Sequence, residues 1–245
     1  GPEFPVGAGT VLLTASAKHD PEIVDEMMGQ LVAGKNVVIT SGLLRALQGQ
    51  GAPGHRIEDI AELEVTDTKA LVSDYQVGWR KIVRAESTIL VPHIRYLTND
   101  SWEEISGVTA TTGHPMLHVA DYAAGKLYVL TIPDNFDDLY KLPVEVLSRV
   151  REVVMDDLQV RVDGPGKVSL FLYDNKTFIV ESFLPETANI SIILGEGVGA
   201  VRDLLTGEEL AGEALMDWRQ QPTGDVRIDT QVGPHKYRVF GFVGG

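Results

Sequence analysis

The sequence predicts two architectures in succession: an α/β domain with a parallel sheet and packed helices over residues 5–159, then a small antiparallel β-sandwich over residues 160–245. Three observations carry this expectation. The stretch from Gly9 to Leu47 alternates apolar strands with helical segments at the spacing of a βαβα unit. Leu142 to Met155 reads as one amphipathic helix. After Asp157 the texture changes to short alternating runs separated by Gly, Pro, Asn and Asp turn signals, the pattern of a small sandwich.

Taken in order, the first strand is Thr10 to Leu13, followed by a polar turn through Asp20. Asp20-Pro21 is a helix start signal. Ile23, Val24, Met27, Met28, Leu31 and Val32 then recur at helical spacing, one buried face in which the methionine pair serves as core filler. Gly34 stands where a C-cap glycine belongs. Asn36 to Thr40 is a second strand, broken at Ser41-Gly42 into a short helix, Leu43 to Leu47. Gly49 to Gly54 is a surface loop and Ile57 to Leu63 a helical turn. From Glu64 to Ile94 the pattern is extended and reads as short, partly antiparallel strands. Pro92 through Gly113 reads as loop, with one helical turn at Asp100 to Glu104. Met116 to Val119 and Lys126 to Ile132 are strands around the turn Ala123 to Lys126, and the helix from Leu142 should pack on the sheet. In the second part, Val168 to Tyr173, Thr177 to Phe183, Asn189 to Leu194, Val226 to Thr230 and Tyr237 to Phe242 are strands, with a hairpin at Asp174-Asn175.

Composition narrows the function classes. The chain has 245 residues, 44% of them hydrophobic, enough for a buried core. A formal charge of −14 opposes non-specific binding to nucleic acid or to an anionic membrane, so neither is an expected partner. No apolar run approaches the roughly 18 residues of a membrane-spanning helix. Zero cysteines remove disulfides, thiolate metal sites and a cysteine nucleophile. The opening Gly1-Pro2-Glu3-Phe4 reads as a cleavage scar outside the fold.

Several stretches carry a family resemblance. TVLLTAS, from Thr10, and GKNVVITSGLLRAL, from Gly34, resemble the segment leading to the nucleophile turn of the class I glutamine-amidotransferase-like fold, a flavodoxin-like arrangement. KLYVLTIPDN, from Lys126, resembles the later strand on which active members end in His-Pro-Glu. VRDLLTGEEL, from Val201, and GPHKYRVFGF, from Gly233, resemble the small β-sandwich that closes many glycoside hydrolases. That domain order resembles the C-terminal part of the family 42 β-galactosidases, and implies a trimerisation domain followed by a sandwich. Two departures bear on activity. Thr40-Ser41-Gly42 stands where active amidotransferases need cysteine, and Ile132-Pro133-Asp134-Asn135 offers no histidine. Without thiolate and base, acyl transfer from glutamine lacks its attacking group and its activation. The late start relative to this fold is expected of an excised fragment of a longer enzyme or of a divergent short relative.

The candidate site residues follow from the topology. If the strands are parallel, the turns after three of them share one edge, and His19, Asp20, Ser41, Asp134 and Asp137 gather there, where open α/β sheets place ligands. Asp20, Asp134 and Asp137 are then the candidate catalytic carboxylates of a glycosidase, which needs two about 5 to 9.5 Å apart. His19, Ser41 and Trp102 are candidate sugar-binding residues, Trp102 because it falls in a loop-rich stretch. Each also has a plainer reading: Asp20 and Ser41 as helix N-caps, Asp137-Asp138 as a solvated loop, and the aromatics Trp79, Trp102 and Trp218 as packing. Ser41 lacks the G-x-S-x-G elbow, being flanked by Ile39 and Leu43. His114, His118 and Asp121 have the spacing of helical metal ligands, but Pro115 favours a strand, on which positions four apart lie roughly 13 Å from each other. No metal and no cofactor are expected. The function expected is a non-catalytic assembly module of a carbohydrate-active enzyme, as a homo-oligomer or beside an upstream catalytic domain. The alternatives are a small glycoside hydrolase in its own right and a carbohydrate-binding module.

Overall fold

The computed structural model describes residues 4–5, 7–79, 81–110, 112–217 and 219–243. The chain divides into two compact units, Gly1–Val150 and Arg151–Gly245, so the division falls about ten residues before the boundary expected at 159/160. It lies within the helix Val144–Val154. Arg151, in that helix, donates to the carbonyls of Gly164 and Pro165 at 2.6 and 3.0 Å, which ties it to the second unit.

The first unit opens as expected, with β1 (Thr10–Leu13), α1 (Ile23–Val32), β2 (Asn36–Thr40), α2 (Ser41–Leu47) and α3 (Ile57–Ala61). Ile23, Met27 and Leu31 lie one helical turn apart on α1, and all three are buried. The helix ends in a Schellman motif: Gly34, at φ +78°, donates to the Leu31 carbonyl, and Lys35 donates to that of Gln30. A left-handed residue is required there, and glycine supplies it without steric cost.

Beyond α3 the chain departs from the α/β pattern. It continues as β3 (Leu63–Val77), β4 (Lys81–Tyr96), β5 (Trp102–Val108), β6 (Gly113–Tyr122) and β7 (Gly125–Leu130). Together with β1 and β2 these form a seven-stranded sheet in the order β1-β2-β7-β6-β5-β3-β4. Only β1, β2 and β7 are mutually parallel. The other four strands pair antiparallel, so the sheet is mixed where a flavodoxin-like parallel sheet was expected. The physical reason is that, among the described residues, no crossover helix lies between residues 63 and 130: strands joined by tight turns must run antiparallel. Asp100 to Glu104 forms no helical turn; Trp102–Val108 is a strand in register with β6. The expected short strands between Glu64 and Ile94 are instead two strands of 15 and 16 residues. Register shifts at Val65/Lys69 and Val72/Asp74 interrupt the period-two pattern, which is why they read as fragments.

The core of this unit lies between the helices and one face of the sheet. Val37 and Ile39 of β2 stand opposite Leu127 and Val129 of β7, and all four join Met27, Leu31, Leu43, Leu44, Ile57 and Ile60 in one cluster. Each such side chain contributes about 1.5–3 kcal/mol by leaving water. Phe4 packs against the same cluster, so the segment read as a scar takes part in the fold through its one large apolar side chain.

The second unit is a sandwich of two antiparallel sheets, as expected. Its strands are β8 (Val160–Asp163), β9 (Val168–Leu172), β10 (Thr177–Ser182), β11 (Ala188–Leu194), β12 (Ala200–Asp203), β13 (Glu209–Ala211), β14 (Glu213–Met216), β15 (Pro222–Val232) and β16 (Tyr237–Val243). One sheet has the order β13-β12-β16-β10-β9 and the other β14-β15-β11-β8. Phe178 and Phe240 stack with ring centroids 5.2 Å apart, and both are fully buried with Ile192, Leu194 and Val232. The hairpin at Asp174-Asn175 forms, with the Asn175 side chain accepting from the Thr177 hydroxyl at 2.5 Å. Asp203, 1% exposed, accepts from the amides of Leu205 and Thr206 and from Arg238 of β16.

Candidate functional site

The site is built at the carboxyl ends of β2 and β7. β2 runs into α2 without a loop, and Thr40 is the N-cap, its hydroxyl accepting from the Leu43 amide at 3.3 Å. Ser41, read from sequence as the cap, is instead the first helical residue and is 4% exposed. Its Oγ accepts from the Ile132 amide at 3.0 Å and so fastens the segment after β7 to the start of α2. One residue earlier, the Thr131 hydroxyl donates to the Pro115 carbonyl at 2.7 Å.

Strands β3 and β4 bring the opposite wall. At Val65 the edge of β3 is completed by a side chain: Gln48 accepts from the Val65 amide at 2.9 Å and donates to its carbonyl at 3.0 Å. Arg45, one turn earlier on α2, donates to the Thr66 carbonyl at 2.6 Å and pairs with Asp67 at 3.5 Å. Lys69 reaches across to Asp134 at 2.7 Å, and the Asp134 amide donates to the Leu90 carbonyl of β4 at 2.9 Å. The result is an open pocket of about 380 Å³ with Ser41 and Gly42 on one side, Val65, Lys69 and Pro92 on another, and Ile132 to Asp134 on a third.

Ser41 and Asp134 therefore share one pocket, as the parallel strands implied, while the other candidates do not line it. Asp20 accepts from the Glu22 amide at 2.9 Å, in the turn before α1. His19 is exposed in a 3₁₀ turn whose neighbour is α2. Asp137 is exposed, and its amide donates to the Asn135 side chain at 3.2 Å. Trp102 lies on β5, 42% exposed, with the Lys126 ammonium 5.2 Å from its ring centre. Trp79, at the turn between β3 and β4, is far more exposed at 95%, and Trp218 lies outside the described residues. Sequence reading missed Arg45, Asp67 and Lys69. Nothing local marks them, because their meeting depends on where β3 crosses the end of α2.

The chemistry of the pocket follows from these partners. No imidazole lines it among the described residues, so the Ser41 hydroxyl has no base beside it. Its two carboxylates, Asp67 and Asp134, each face a cation. His114 and His118 lie four residues apart on β6, both buried, and Asp121 further along pairs with Lys126 at 3.8 Å. Burial pushes the His118 imidazole down to about 4, and burial together with the neighbouring His93 lowers that of His114. Among the described residues no group of three His, Asp or Glu side chains is arranged to hold a metal ion.

Comparison with known proteins agrees with the two-unit division. Residues 3–135 match the family model described as uncharacterized protein SSO3021, second domain, and residues 159–242 match the model described as probable glycosyl hydrolase, C-terminal domain. No curated protein matches the chain. Among solved structures, Gan42B, a GH42 beta-galactosidase from G. stearothermophilus, aligns with 98% of this chain at 12% identity and a TM-score of 0.51. A beta-galactosidase from Bacillus circulans sp. alkalophilus aligns with 97% of the chain at 13% identity and a TM-score of 0.48. The chain spans about a third of the length of these enzymes, covering 32% and 34% of them.

Proposed function

The chain belongs to the family described as the second domain of uncharacterized protein SSO3021, and we infer that it is a non-catalytic accessory module of a glycoside hydrolase. The observation that carries this reading is the match of residues 159–242 to the C-terminal domain of probable glycosyl hydrolases. The chemistry of the first unit is consistent with it. The parallel core of β1, β2 and β7 is read as a reduced amidotransferase-like scaffold in which serine replaces the nucleophilic cysteine and no base lies beside it. One role for such a module is mechanical: self-association, as in a trimerisation domain, or support of a neighbouring catalytic domain.

Light scattering on the purified chain, together with a chromogenic β-galactoside assay, tests the reading. The expected result is a defined oligomer without turnover. A strict monomer removes self-association and leaves support of a neighbouring domain. Turnover that is abolished by Asp134→Asn or Asp20→Asn would overturn the reading altogether.

A further inference from the structure

We propose that the pocket at the carboxyl ends of β2 and β7 binds a neutral, hydroxyl-rich ligand the size of a single sugar ring. Self-association is not a premise of this inference, so the two readings fail separately. Size comes first. The open pocket of about 380 Å³ has room for one sugar ring. It lies outside the carboxyl ends of β2 and β7, the adjacent parallel strands of a sheet that is otherwise antiparallel beyond β7.

Charge then selects the class. The pocket is lined by two cations, Arg45 and Lys69, and two anions, Asp67 and Asp134, so its formal charges cancel within a chain of net charge −14. An anionic ligand would meet two carboxylates and a cationic one two cations. A polyol meets donors and acceptors of both kinds and carries no charge to desolvate. Both ion pairs reach solvent, with side-chain exposures of 46% and 38% for Lys69 and Asp134 and of 45% and 105% for Arg45 and Asp67. Exposed pairs of this kind contribute little and can turn toward ligand hydroxyls at small cost. The Ser41 hydroxyl, nearly buried at the pocket wall, accepts from Ile132 and keeps its own proton to donate. Pro92 and Ile132, both part-exposed at the rim, supply apolar surface for the C–H face of a ring.

Titration of the ¹⁵N-labelled full chain with galactose, glucose, glucuronate and glucosamine, followed by amide chemical shifts, tests this. A neutral sugar is expected to move the amides of Gly42, Ile132 and Asp134, and to bind more tightly than either charged probe. Asp134→Asn leaves the pocket with a net positive charge and should shift preference from glucose toward glucuronate by about tenfold. Lys69→Gln should shift it in the opposite sense, toward glucosamine, and serves as the second variant should the first not fold. The proposal is overturned if no neutral sugar moves these amides at up to about 0.1 M. It is equally overturned if a charged probe binds best in the unaltered chain, or if the shifts map to the sandwich.

Discussion

Acidification should weaken the mixed-sheet unit through His118, and the size of the effect follows from its surroundings. The side chain lies on β6 with no exposed surface, and neither ring nitrogen has a hydrogen-bond partner among the described residues. Its ring centre is 5.5 Å from that of Tyr96 on β4. Glu103 on β5 stands opposite it in register, but the Glu103 carboxylate is taken by the Tyr96 hydroxyl; Val129 of β7 flanks the other side. A proton on His118 would therefore be desolvated without compensation, and burial lowers its pKa from 6.5 to about 4. Above pH 6.5 the imidazole is neutral in both states and contributes no pH dependence. Below it the unfolded chain binds a proton that the folded chain refuses, so stability is lost as pH falls from 6.5 toward about 4. At 1.36 kcal/mol per pKa unit, the loss amounts to about 3 kcal/mol by pH 4. Urea unfolding near neutrality and again at about pH 4.5 would measure it, for the unaltered chain and for His118→Leu, each also carrying Trp218→Phe so that Trp79 and Trp102 report this unit. The unaltered chain should lose about 2.5 kcal/mol more than the leucine variant over that interval. Equal losses in the two proteins, or an imidazole resonance titrating near its ordinary value, would refute the reasoning.

Two further outcomes are expected. Arg238→Met should destabilise the sandwich by about 3–5 kcal/mol, because it strands a buried carboxylate. Burial pushes the Asp203 carboxyl up, but Arg238 at 2.7 Å and the Leu205 and Thr206 amides outweigh it and hold the pKa below the ordinary value. Calorimetry should show the sandwich transition moving down while that of the first unit stays in place. Gly125→Ala should do the reverse. A β-carbon there would clash with the Lys35 carbonyl oxygen and stand 2.8 Å from that of Leu31, at the end of α1, where backbone rather than a flexible side chain must yield. The expected cost is about 3 kcal/mol, read as a lower melting temperature for the first unit alone; an unchanged melt would show that the hairpin and α1 can separate freely.

How much of this was legible from sequence depended on how locally each feature is determined. The path from β1 to α2 could be read because each step carries its own signal: Ile23, Met27 and Leu31 at one-turn spacing, Gly34 in a left-handed cap, and Val37 to Ile39 as an apolar run buried on both faces. Five of the sandwich strands were readable because turn signals bound their apolar runs, as in β10, where Phe178 and Val180 alternate with less buried residues, while the short β8, β12, β13 and β14 were not read. β5 was not, since Trp102-Glu103-Glu104 places an exposed aromatic and two carboxylates at its start, and β3 and β4 lost their period to register shifts. The site divides along the same line. The residues of the two turns are visible in the sequence itself, Ser41-Gly42 after β2 and Pro133-Asp134-Asn135 after β7, with neither a cysteine nor a histidine among them. The partners those residues meet are not. Lys69 and Asp134 are 65 positions apart, and only the curl of β3 over the end of α2, held by the Gln48 clip on Val65, brings them to 2.7 Å. A residue's identity can thus be read in place, while the partner that balances its charge is fixed only by the packing.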